Sequence, residues 1–190
     1  MALNLNGTTG IVTNNIGASQ VTSAKLASGA ARANFGAGAV LQVVQGVVST
    51  VVSGLSSTSF ADIPGLSASI TPASTSNKVL VTASIHGCST SNVGVRLMRD
   101  STPIGVNTSG SPSNRKVCTA ADFYANTLTT GETVTINFLD SPSSVSAITY
   151  KIQYIAYNGN VFYLNTGYAD ADNAFTLRTI STITLMEIAG

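Results

Sequence analysis

The sequence predicts an all-β protein: a C-terminal β-sandwich or jelly-roll head behind an N-terminal extension with at most one short helix. Three observations carry this. Short runs of alternating apolar and polar residues recur through the second half of the chain, as half-buried strands require. Turn chemistry such as "DSTP" and "NGN" separates the runs at regular spacing. No repeat of about 20–50 residues appears, so a solenoid or propeller is not indicated. The 190 residues suit one domain of ordinary size plus an extension.

The division is expected at residues 1–38 and 39–190. The first part is rich in Ala, Gly, Ser and Asn. Within it, "SAKLASGAARANFG" suits one short helix, capped by Ser23 and stopped at Gly36. Its apolar face would be thin, comprising Leu26, Ala30 and Phe35, so the helix would be marginal alone.

From Val40 the pattern changes. "VLQVVQGVVSTVV", residues 40–52, is a Val-rich first strand with apolar residues on both faces, so both sides are expected to be buried. "KVLVTASIHG" alternates: Val79, Val81, Ala83 and Ile85 share one face, and Leu80, Thr82, Ser84 and His86 the other. "NVGVRLMR" points Val93, Val95 and Leu97 inward, and "DSTP" at 100–103 turns the chain into "IGV". In "ETVTINFLD", Val134, Ile136 and Phe138 face the core. "AITYKIQYIAY" aligns Ile148, Tyr150, Ile152 and Tyr154, so both tyrosines are read as core. "NGN" at 158–160 is expected to close a hairpin with "VFYLN". "FTLRTISTITLMEI" closes the chain as two strand-like runs.

Charge narrows the function. Charged residues are 9% of the chain, against about 25% in ordinary soluble domains. Residues 1–61 hold only Lys25 and Arg32, and the first acid is Asp62. With a net charge of +1 there is no field to attract nucleic acid. Mean hydropathy is +0.30, and so neutral a surface invites association, so an obligate oligomer is expected. No window reaches the roughly 18 apolar residues of a membrane span, and "MALNLNGTTG" has no signal-peptide pattern. No membrane insertion is expected.

Catalytic and cofactor patterns are missing. His86 is the single histidine and is read as a structural or exposed polar residue. There is no G-x-S-x-G, P-loop or dinucleotide fingerprint. Cys88, Cys118 and His86 lack zinc-ligand spacing, and the two cysteines are read as free thiols. Asp170, Asp172 and Asn173 sit together in "YADADN", without the glycine and distal Glu of a calcium loop. The expectation is a non-enzyme with no catalytic residue, no cofactor and no metal. Surface contact is assigned to Tyr157 and Tyr168 among the aromatics, and to the adjacent pair Arg115 and Lys116.

Four segments carry a family resemblance. They are "SASITPASTSNKVLVTASI", "VRLMRDSTPIG", "LDSPSSVSAITYKIQY" and "STITLMEIAG", which fall in this order over residues 66–190. The opening, where a Gly-Ala-Ser segment runs into "GAGAVLQVVQ", adds to them. In this the chain resembles the small fibre or spike proteins of tailed bacteriophages, common among phages of marine bacteria and cyanobacteria.

The resemblance implies a homotrimer, an N-terminal segment attached to other virion proteins, and a β-sandwich head that binds a host-surface glycan or protein. It implies a virion location, on the tail or the capsid surface, after synthesis in the host cytoplasm. It supplies no catalytic residue. The expectation is a short trimeric tail fibre with a receptor-binding head; the alternative is a capsid decoration or head-fibre protein without receptor binding.

Overall fold

The computed structural model describes residues 36–109, 114–124, 131–168 and 170–190. The expected helix over 23–36 and the attachment role of residues 1–38 lie, but for the last few positions, outside them. Residues Ala37–Gly190 form one compact unit.

Its strands are β1 (Val40–Val48), β2 (Val52–Leu55), β3 (Ala61–Ile70), β4 (Lys78–Ser89), β5 (Val93–Arg99), β6 (Thr102–Ile104), β7 (Ala120–Ala121), β8 (Glu132–Asp140), β9 (Ile148–Ala156), β10 (Phe162–Leu164) and β11 (Ser181–Ile188). All named pairings are antiparallel. The chain is all-β among the described residues, as its alternation predicts.

Several short strands share one position. β10 and then β11 pair with successive stretches of one edge of β4. β2 and β1 line the far side of that composite strand, and β6 and β7 share one edge of β5. Each sheet therefore has four positions: β1/β2, β10/β11, β4, β8 in one, and β3, β9, β5, β6/β7 in the other. Counted along the chain, the orders are 1-8-3-6 and 2-7-4-5, the winding of a jelly roll.

The core lies between the sheets. Val79, Val81, Ile85, Ile183 and Leu185 from one meet Leu66, Val95, Leu97, Tyr150 and Ile152 from the other, all 0% exposed. Each such large side chain contributes about 1.5–3 kcal/mol by leaving water. Tyr154 is buried too, so both tyrosines read as core are core. Phe162 stacks tilted on Phe123 with centroids 4.8 Å apart.

Two close approaches shut the open sides. At Gly46 of β1 a Cβ would run into the Ser67 carbonyl of β3. At Gly105 it would meet the Phe138 ring of β8, at 2.9 Å. Glycine is what lets the two sheets come this near.

The sandwich has two distinct ends. At one, the chain comes in at Ala37 and leaves at Gly190, with Gly38 N–H donating to the Ala189 carbonyl at 2.8 Å. Buried acids hold this end. Glu187 accepts from the Ala73 N–H, the Asn77 Nδ2 and the Gln42 Nε2, each at 2.6 Å. Asp140 accepts from Arg99 and Tyr150. The opposite end carries the β2–β3 and β4–β5 connections and the 3-10 turn Tyr157–Gly159 after β9.

Four expectations need correction. The Val-rich first strand is not buried on both sides within this chain: Val40, Val43 and Val47 are 50%, 57% and 49% exposed. It also breaks after Val48, where residues 49–51 let the chain move from β11 to β10. "NGN" does not close a hairpin, because β9 and β10 belong to different sheets and the turn carries the chain across the sandwich. Of the two closing runs only β11 is a strand. Residues 175–180 lie in a loop with Phe175 79% and Leu177 67% exposed, and the Arg178–Asp170 ion pair spans that loop. Finally, the return after "DSTP" begins at Thr102, ahead of "IGV".

Candidate functional site

A hollow of about 490 Å³ opens at the end of the sandwich opposite Ala37. Four separate stretches build it. Thr58 comes from the β2–β3 connection, Asn92 from β4–β5, Asn114 and Lys116 from the segment before β7, and Tyr157 and Asn158 from the turn after β9. Gly94, Cys118, Ala121 and Ile155 make an apolar floor.

The floor follows from the sheet. Gly94 of β5 and Ile155 of β9 are paired neighbours on the outer face. Cys118 lies directly over Gly94, so any Cβ there would collide with its Sγ. This lets the 114–118 segment drape onto the sheet, where the Thr119 N–H donates to the Val95 carbonyl at 2.9 Å. Burial raises the thiol pKa of Cys118.

The wall is a tight turn. The Tyr157 N–H donates to the Asn92 carbonyl at 3.0 Å, tying two rim residues together. Asn158 takes a left-handed φ of 52°, a conformation Asn tolerates better than most residues, and Gly159 follows at 72°. Tyr157 is left 60% exposed.

Of the residues expected to make contact, Tyr157 and Lys116 meet at this hollow. Arg115 lines an adjoining one of about 410 Å³, which shares Lys116, Cys118 and Ala121. Tyr168 is elsewhere, 37% exposed and packed edge-on against Tyr163, with centroids 5.1 Å apart. Of the rim asparagines only Asn158, in "NGN", stands out in the sequence as a turn residue; Asn92 opens the strand run "NVGVRLMR" and Asn114 carries no signal. Nothing in their spacing shows that four loops converge.

The outer face of the sheet beside the hollow is charged and cross-linked. Arg96 lies 3.8 Å over the Phe60 ring and donates through Nε and Nη2 to Gln153 Oε1. Gln153 and Lys151 donate to Asp62 at 2.6 and 2.7 Å. The hydrogen bond from Lys151 holds the Asp62 carboxyl below its usual range.

The outer face of the other sheet is different. Its register lines up Val43, Met186, Leu80 and Leu139 in one row across four strands. The next row is Gln45, Thr184, Thr82 and Asn137, and the next Val47, Thr182, Ser84 and Thr135. These twelve side chains carry no charge. His86, at the end of this face, bonds through Nδ1 to the Thr133 hydroxyl at 2.9 Å, and burial lowers its pKa.

The acidic loop has its own partner. Asp170 accepts from Arg178 and from the Thr166 hydroxyl, and the Arg178 hydrogen bond lowers its pKa. Among the described residues no three His, Cys, Asp or Glu side chains cluster as metal ligands. No family model and no curated protein matches the chain.

Proposed function

We propose that this protein is a non-enzymatic virion component of a tailed bacteriophage: a short trimeric tail fibre whose jelly-roll head binds the host cell surface. One observation carries this reading, the unlike outer faces of the two sheets. The β3–β9–β5 face is covered by a charged network suited to water. The β1–β11–β4–β8 face has three uncharged rows with exposed valines and an exposed leucine. Such a face suits contact with further copies of the chain, where burial of the apolar row is favourable and no ion is stripped of water.

The sequence resemblance supports a fibre in particular. Within the head, Ala37 lies at one end of the sandwich and the polar hollow opens at the other, a separation that suits a head binding at its far end. Three heads on one fibre would raise avidity without a strong single site.

The test is the native mass of the full chain beside a chain starting at Ala39, followed by antibody labelling of virions. A trimeric full chain and label at the tail support the proposal. Label over the shell favours the decoration alternative. A stable monomer in the full-length sample removes the fibre reading.

A further inference from the structure

The chemistry of the hollow selects a ligand class. Its rim presents three carboxamides, of Asn92, Asn114 and Asn158, and the Thr58 hydroxyl. No hydrogen bond joins any of these side chains to another described residue. Each amide offers two donors and an acceptor. Beside them stands the exposed Tyr157, with Gly94, Ala121 and Ile155 in the lining. An aromatic side chain with an apolar floor and flanking amides fits a pyranose, whose faces are apolar and whose edge is ringed by hydroxyls.

Charge sharpens the choice. No Asp or Glu lines the hollow or its neighbour. Lys116 lies in both, with no ion-pair partner among the described residues, and Arg115 lines the neighbour. These two adjacent cations are a fifth or more of the nine Lys and Arg in the chain. A volume of about 490 Å³ admits a sugar or two.

We infer that this hollow binds an acidic sugar, a pyranose bearing a carboxylate, with its ring against Tyr157, its hydroxyls on the three asparagines and its carboxylate at Lys116. The inference rests on the reading of the head as a surface-binding module and names the ligand class and the site. Arg115 then receives the charge of the next residue of the polysaccharide.

The test is titration of the full chain with digalacturonate, followed by NMR shifts or calorimetry, beside the methyl ester of the same disaccharide. Binding is expected at millimolar concentration, as for one site of a multivalent binder. Tyr157→Ala and Lys116→Gln should each weaken it roughly tenfold or more. Both side chains are exposed, so the variants keep the fold, which circular dichroism verifies. Bound sugar should also slow alkylation of Cys118, which lies in the floor.

Equal binding of the methyl ester overturns the role of Lys116 and the acidic class. Binding untouched by Tyr157→Ala overturns the site. Absence of binding by both sugars overturns the inference, while a trimeric native mass and virion labelling would still leave the fibre reading standing.

Discussion

The Asn165 side chain ties down the break in the first strand: its Nδ2 donates to the Val48 carbonyl at 2.8 Å. The same nitrogen donates to the Thr50 carbonyl at 2.9 Å, and Oδ1 accepts from the Ser181 hydroxyl at 2.7 Å. Asn165 is 0% exposed and holds a left-handed φ of 64°. It thus joins the ends of β1, β10 and β11 at the point where the chain leaves for the 166–180 loop.

Asn165→Ala should therefore cost about 3 kcal/mol, since buried carbonyls lose their donor. Asn165→Asp should be comparably harmful, because a carboxylate has no N–H to offer. Urea unfolding followed by circular dichroism measures both. A change near zero would mean that water replaces the amide.

At the Ala37 end, Asp140 plays the matching part. Arg99 Nη1 lies 2.9 Å from both its oxygens, and the Tyr150 hydroxyl donates at 2.7 Å. The Asp140 side chain is 7% exposed. Asp140→Ala should cost about 3 kcal/mol by stranding the guanidinium and the phenol. Tyr150→Phe, which removes one hydrogen bond to a carboxylate, should cost about 2 kcal/mol. The difference between the two unfolding midpoints tests the ranking.

The uncharged face makes a prediction about mass. Val43 and Leu139 are 57% and 49% exposed in the single chain. Val43→Glu with Leu139→Glu should leave the head folded and reduce the native mass to that of one chain. Light scattering gives the mass and thermal unfolding checks the fold. An unchanged oligomer would move the interface to another surface.

Acid should weaken the head through His86. Burial holds its folded pKa below the ordinary value of about 6.5. The unfolded chain therefore takes up a proton that the folded chain resists. This part of the stability is full above about pH 6.5 and is lost as pH falls toward the folded value. Asp62 and Asp170 have lowered values and act only in more acid solution, as pH falls below about 4. Urea midpoints should fall between about pH 7.5 and 5.5, and His86→Asn should flatten that slope.

The sequence by itself determined which residues of most strands face the core. The alternation Val79, Val81, Ala83, Ile85 and the run Val134, Ile136, Phe138 point inward because a strand repeats every two residues. It also determined that the surface would be poor in charge. Only the tertiary structure decided how the strands are shared between sheets. β9 and β10 are neighbours in sequence, yet the turn between them crosses the sandwich. The acids Asp140 and Glu187 lie in strands whose local pattern says nothing of their distant donors, Arg99 and Asn77. The hollow is of the same kind. Thr58, Asn92, Lys116 and Tyr157 come together because a jelly roll winds four distant connections to one end, and contacts that distant in sequence leave no local period to read.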